Sequence, residues 1–241
     1  MYSKYERPII SASLFYYDTQ YDSETARKVL QILDQHTMFP PDKIHADILT
    51  NNRYIKADVC AKDIFVKAYS EKDVLGIDMA SGDSRKVTDY WRFNWKLTYN
   101  KNQRQVIGNK FKPWNIITLQ STYGRLQNEE EFFFIDCVKA LIKAVSPFYA
   151  SIDDIANKLE LQNLCNETHF TPDKVQTIYW GNYFGREYTN RYGLEKIMSL
   201  PAYECEKIDD GVFFALSDSL HNYGGKEVVQ RRKQIKRILQ I

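Results

Sequence analysis

The feature that most constrains this chain is a long amphipathic segment over residues 128–145 that leads straight into a short apolar one. Asn128 is a favourable N-cap, and Glu131 stands where the partner of a capping box belongs. Ser146 and Pro147 end the segment, because proline has no N–H to donate and disfavours helix at the residue before it. The apolar side chains recur three or four residues apart, as on one face of a helix: Ile135, Val138, Ile142 and Val145, with Phe132, Phe134 and Leu141 widening the stripe. We therefore expect a helix over 128–145 whose Ile135, Val138 and Ile142 face a sheet, followed by a strand over 148–152.

The other segments predict strands that follow one another directly, without a helix between each pair. Over residues 90–99, aromatic and aliphatic side chains alternate with polar ones, which is typical of a strand with one buried face. Asp209-Asp210-Gly211 separates strand-like segments over 203–208 and 212–216 and predicts a hairpin, because these residue types tolerate positive φ. Further strands are expected over 9–17, 43–49, 54–59, 74–80 and 114–123, and helices over 23–36, over 187–192 and after Gly224-Gly225 to the C-terminus. The prediction is a single α+β domain, residues 1–241, with a largely antiparallel sheet packed by the central helix and with a C-terminal helix.

Composition excludes some partners and compartments. The 33 basic and 31 acidic residues give a net charge of +2, which argues against nucleic-acid binding over the whole surface. No stretch approaches the roughly 18 apolar residues of a membrane helix, and the N-terminus has no apolar core for a signal peptide. The four cysteines are scattered, form no C-x-x-C pair and are expected to be reduced: Cys60, Cys137, Cys165 and Cys205. A cytoplasmic protein with no membrane partner is expected.

Motifs that carry catalytic chemistry are missing from the sequence. There is no G-x-S-x-G, G-x-G-x-x-G or phosphate-binding loop, and the four histidines do not pair with one another at helical or strand spacing. We therefore expect no catalytic residue, no cofactor and no metal. Asp153-Asp154 is an acidic pair that could do acid–base work or hold a metal, although a structural role is the favoured interpretation. The alternative hypothesis is an enzyme in which His45, Asp47 and an acidic pair converge in a pocket.

The final helix is strongly basic. Six basic residues are opposed by Glu227 alone, and they leave an apolar side for packing: Lys226, Arg231, Arg232, Lys233, Lys236 and Arg237, against Val228, Val229, Ile235, Ile238 and Leu239. Such a helix can bind phosphates, which makes nucleic-acid binding a second alternative. The favoured interpretation is a solvated face whose late charges complement the helix dipole.

The octapeptide over residues 178–185, Ile-Tyr-Trp-Gly-Asn-Tyr-Phe-Gly, is the most distinctive stretch of the chain. Ser146-Pro147-Phe148-Tyr149-Ala150 stands upstream, and Glu187-Tyr188, Tyr192-Gly193, Pro201 and the Asp210-Gly211 hairpin follow. This order resembles the immunity proteins of bacterial polymorphic-toxin systems, and among them the immunity family numbered fifty-two. The resemblance covers about residues 128–220.

The resemblance implies a small cytoplasmic α+β protein that binds and neutralises a cognate protein toxin and is not an enzyme. It implies partner contacts in the distinctive stretch and just after it, at Trp180, Asn182, Tyr183 and Tyr188. Read from the residues alone, Trp180 and Tyr183 with two nearby glycines predict a packed corner where the backbone turns sharply. Support of the fold and direct toxin contact both remain open for this stretch, with fold support favoured.

Overall fold

The fold is built on one continuous antiparallel sheet. A computed structural model of the chain describes residues 9–17, 23–36, 44–50, 54–57, 63, 66–67, 74–81, 91–98, 114–122, 129–155, 157–158, 175 and 177–241. Within these residues lie ten strands: β1 (Ile9–Tyr16), β2 (Ile44–Thr50), β3 (Tyr54–Ala57), β4 (Val74–Ser81), β5 (Trp91–Thr98), β6 (Trp114–Thr122), β7 (Tyr149–Asp154), β8 (Gly181–Phe184), β9 (Glu204–Ile208) and β10 (Gly211–Ala215). Their order across the sheet is β3-β2-β4-β5-β6-β1-β7-β8-β10-β9, and each neighbouring pair is antiparallel.

Strand β1 joins the two halves of the sheet. It pairs with β6 on one side, where Ala12 lies opposite Leu119, and with β7 on the other, where Ala12 lies opposite Ile152. The predicted α+β class with a largely antiparallel sheet is confirmed. That the chain forms a single domain stays a prediction.

Helices cover both faces of the C-terminal part of the sheet. Five are described: α1 (Ser23–Gln35), α2 (Glu129–Val145), α3 (Arg186–Tyr192), α4 (Leu194–Met198) and α5 (Lys226–Leu239). Helices α1 and α2 pack on one face, in a core that includes Phe213 and Ala215 of β10. Helices α3, α4 and α5 pack on the other face, in a core that includes Val212 and Phe214 of the same strand.

Because helices cover both faces, these strands lose the alternating pattern of a half-exposed antiparallel strand. Each residue of β7, β8 and β10 is buried. The sequence of β10 therefore reads as a continuous apolar run, whereas β7 and β8 also bury the polar residues Ser151, Asp153, Asp154 and Asn182.

The central helix α2 has the predicted buried face, with one correction. Val138 and Ile142 are buried and Ile135 packs partly buried against the same core. Phe132, expected on that face, is 65% exposed. At about 100° per residue it lies about 200° around the helix from the buried Phe134, and so points away from the sheet. Asn128, the predicted cap, lies outside the described residues.

The predicted hairpin is confirmed, and its first strand shows a contact that the sequence did not indicate. Asp209 takes the positive φ of 49° that the turn requires. Glu204 and Glu206 share one face of β9, which we expected to be simply solvated. Both carboxylates instead bind the ammonium group of Lys139 on α2, at 2.9 and 2.6 Å.

The predicted C-terminal helix is confirmed as α5, but the roles of three side chains differ from expectation. Val229 and Ile238, assigned to the packed side, are exposed, whereas Arg232, assigned to the solvated side, is buried. The spacing explains this. Val228, Arg232, Ile235 and Leu239 follow the i, i+4, i+7, i+11 pattern of one helix face, and that face packs against the sheet.

Candidate functional site

The four residues for which the resemblance implies partner contact lie inside the protein. Trp180 precedes β8, Asn182 and Tyr183 belong to it, and Tyr188 lies in α3. Between 0% and 3% of each residue is exposed. A partner cannot reach these side chains in this conformation, so their burial favours the alternative in which the stretch supports the fold.

The polar side-chain groups of Trp180, Asn182 and Tyr183 bond to other groups of the chain. The indole N–H of Trp180 donates to the Ser217 hydroxyl at 2.7 Å. The Asn182 side chain accepts from the backbone N–H of Tyr179 and donates to its carbonyl, both at 3.0 Å. The Tyr183 hydroxyl donates to the Ile208 carbonyl at 3.3 Å. These bonds connect β8 and the residues just before it to neighbouring segments, as expected for residues that support the fold.

Two glycines allow the close packing at this corner. The N–H of Gly185 donates to the Phe148 carbonyl at 3.0 Å, and a Cβ on Gly185 would lie 2.9 Å from the Phe148 Cα. A Cβ on Gly211 would overlap the Tyr183 ring and lie 2.6 Å from the Phe184 carbonyl oxygen. Backbone atoms cannot move away as a flexible side chain could, so a larger residue at either position requires the sheet to shift.

A buried charged pair lies beneath the corner and was missed from the sequence. Asp153 lies within β7, not after it as expected. One of its carboxylate oxygens accepts from the backbone N–H of Trp180 at 2.9 Å. Arg232 of α5 lies 3.7 Å from that same oxygen and donates to the Ile178 carbonyl at 2.7 Å. Burial raises the pKa of the Asp153 carboxyl and lowers that of the Arg232 guanidinium, while each opposes the shift of the other. The apolar spacing around Arg232 is the signal that could have revealed its burial.

Lys158 is the second buried group that the sequence did not single out. Its ammonium nitrogen donates to the Ser151 carbonyl at 3.1 Å and to the Ser13 hydroxyl at 3.3 Å, and it lies 5.6 Å from the centre of the Tyr179 ring. Burial lowers its pKa to about 7, and the nearby Asp153 carboxylate partly offsets this by raising the pKa. An uncharged amine is a nucleophile, but this one is enclosed between β1, β7 and Tyr179. The sequence around it is a polar connector with no pattern that indicates burial.

The structure does not bring together the residues that the enzyme hypothesis places in one pocket. His45 and Asp47 lie on β2, and the acidic pair Asp153-Asp154 lies on β7. Four strands separate β2 from β7, so the two sets are about 24 Å apart along the sheet, at about 4.8 Å per strand. Across the described ranges, His, Cys, Asp and Glu nowhere gather in a group of three or more that could hold a metal ion. No helix in the described part of the chain could cross a membrane.

In the described C-terminal part, two surfaces present accessible charged or aromatic groups. One is the outer face of α5, the basic stripe, where Lys226, Lys233 and Arg237 are all exposed. The other is the end of the sheet at β9, beside the exposed Tyr203. We call the latter the β9 edge and define it by residues 203–210.

Comparison with known proteins gives a relation of fold. No family model matches this sequence. No curated protein matches it either. Among solved structures, a Pseudomonas aeruginosa type VI secretion system (T6SS) protein matches with a TM-score of 0.64 at 11% sequence identity, over 97% of this chain and 72% of its own. At that identity the match establishes a shared fold, and membership of an immunity family stays a prediction.

Proposed function

We propose that this protein binds a cognate bacterial protein toxin and neutralises it stoichiometrically, without turnover of its own. The observation that carries the proposal is the match in fold, over 97% of the chain, to a protein whose name associates it with the T6SS. That association and the resemblance of residues 128–220 to immunity proteins point independently to the same biological setting. The cytoplasmic location expected from the sequence is part of the proposal.

The arrangement of the interior supports a binding role. Three buried charged groups hold segments together: Asp153 and Arg232 fix the Ile178–Trp180 segment, and Lys158 fixes β1 to β7. Neutralisation by binding needs a stable surface and a few well-placed anchors in an interface of ordinary size. The C-terminal part of the sheet, which helices cover on both faces, provides a surface of that kind.

Co-expression with the toxin domain encoded beside this gene tests the proposal. The expected result is rescue of growth at roughly equal expression of the two chains, with a one-to-one complex on purification and toxin that recovers its activity after the complex is dissociated. Rescue by trace amounts of this protein, or toxin left chemically altered, would show turnover and contradict the proposal.

Nucleic-acid binding is a second candidate because the basic stripe is exposed. Lys226, Lys233 and Arg237 follow one another along the same face of α5, where a phosphate backbone could lie. Binding to duplex DNA and RNA at 50 and 200 mM salt separates the candidates. An affinity that falls about tenfold or more between the two concentrations, and that Lys233→Glu weakens further, would favour nucleic acid, since contacts with several phosphates are strongly salt-dependent.

A further inference from the structure

Strand β9 is the last strand of the sheet, and part of its backbone faces outward. Within the described residues, only β10 pairs with it. The Leu216 N–H donates to the Trp180 carbonyl on the β8 side, whereas the Ala215 carbonyl accepts from Tyr203 on the β9 side. Since successive peptide groups of a strand point to opposite sides, Ala215, Phe213 and Gly211 direct theirs toward β9.

The register then fixes which β9 groups the described strands leave unpaired. Ala215 lies opposite Glu204, Phe213 opposite Glu206, and Gly211 opposite Ile208. The peptide groups of these three β9 residues therefore face β10, and those of Cys205 and Lys207 face away from the sheet. An edge with outward N–H and C=O groups is a template for a further strand.

The side chains at this edge are mostly acidic. Glu204 and Glu206 share one face, with side chains 44% and 41% exposed, and Lys139 neutralises them in part. Asp209 and Asp210 are exposed at the hairpin tip. Lys207 is the only basic residue of the edge itself. An added strand that carries lysine or arginine would therefore meet complementary charge.

An aromatic anchor stands at the beginning of the edge. Tyr203 is 57% exposed, and the guanidinium of Arg231 lies 5.9 Å from its ring centre. Beside it is a cleft of about 290 Å³ that Asp218, Glu227, Lys226 and Arg231 help to line together with Tyr203. Tyrosine and arginine are enriched among the residues that dominate binding energy, and a cleft next to them can take a side chain of the partner. The basic stripe offers solvated charges but no comparable combination of free backbone and anchor.

We propose that the partner attaches at the β9 edge by adding an extended, basic segment of its own as an outer strand, with an adjoining side chain in the cleft beside Tyr203. This inference rests on the proposed function, since the occupant is the toxin. Hydrogen bonds to Cys205 and Lys207 give the attachment its direction, and Glu204 and Glu206 select a basic segment.

The test uses the full chain and the toxin domain encoded beside its gene. The dissociation constant is measured for the wild type, for Lys207→Pro, which removes one outward N–H, and for the double variant Glu204→Gln, Glu206→Gln, which keeps acceptors for Lys139 but removes charge. Lys233→Glu on the basic stripe is the matched control. We expect each edge change to weaken binding about tenfold or more and the control to leave it unchanged, because a lost backbone bond or charge-assisted contact costs about that factor.

Amide hydrogen exchange on the wild-type complex gives a readout that does not depend on how well a variant folds. Added strand pairing must slow exchange at Cys205 and Lys207. If a complex forms but those amides stay unprotected and the double variant Glu204→Gln, Glu206→Gln binds normally, the edge is not the contact, although the proposed function stands. Weakening by Lys233→Glu alone would place the contact on α5 and overturn the inference. If the wild type does not bind the toxin domain at all, both proposals fall.

Discussion

At the scale of single residues, Gly185 shows most directly that the packing of the corner requires a residue without a side chain. Gly185→Ala should lower the free energy of unfolding by about 1–3 kcal/mol, the usual cost of overpacking, because the added Cβ meets the backbone of Phe148 at 2.9 Å. Gly224→Ala is the matched control, since a Cβ there has nothing within 4 Å. Urea melts of the two variants measure the difference. Equal stabilities would show that β8 and Phe148 are not in such close contact.

Lys158 gives a pH-dependent prediction. Its pKa of about 7 in the folded protein lies below the ordinary value of 10.5, so between these values the unfolded chain binds more protons and stability rises with pH. From pH 7 to 8.5 the wild type should gain about 1–2 kcal/mol relative to Lys158→Met. Lys143→Met, at an exposed position, should run parallel to the wild type. A constant difference between wild type and Lys158→Met across this range would mean that Lys158 is solvated and keeps its ordinary pKa.

At the scale of elements, α2 holds one face of the sheet in place. Ile142→Ala should cost about 2–5 kcal/mol, because the side chain is buried and its removal leaves a cavity. Lys143→Ala, one residue on and exposed, should change the stability by no more than about 0.5 kcal/mol. Denaturant melts compare the pair. A loss under about 0.5 kcal/mol for Ile142→Ala would remove α2 from the core.

The elements also show what the sequence could and could not predict. The apolar spacing of α2, the alternation in β5 and the turn residues at Asp209 are local signals, and the structure confirms the elements they predict. Arg232 and Asp153 were missed because a charged side chain indicates solvent unless the element that covers it is known. For the corner at Trp180 the sequence favoured packing but left toxin contact open, since aromatic residues and glycines fit both.

At the scale of the whole molecule, the candidate surface could not be predicted because pairing across the sheet is not a local property. Nothing near β9 in sequence shows that it ends the sheet, nor that Lys139, about 65 residues earlier, binds its two glutamates. The order of strands depends on β1 lying between β6 and β7, which links residues far apart in the chain.

A count of the thiols tests whether the cysteines of the whole chain are reduced. Cys137 and Cys205 are free, whereas Cys60 and Cys165 lie outside the described residues. Titration of denatured, unreduced protein should count four thiols, and a count of two or none would indicate disulfides and an oxidising compartment. In the native protein Cys137 should react far more slowly than Cys205, because burial, reinforced by Asp136, raises its pKa to about 12.

The place of β1 at the middle of the sheet also sets the order in which the protein can be completed during translation. Among the described strands, β1 is the first to leave the ribosome, yet its neighbours β6 and β7 end at Thr122 and Asp154. Until both have emerged, β1 keeps one or both edges open, and the nascent chain depends on chaperones or fast local collapse to avoid aggregation. A cut between β6 and α2 would leave two fragments that each lack part of the sheet. Such fragments should regain the fold only when they are mixed. A protein split at this junction would therefore report the association of its two halves.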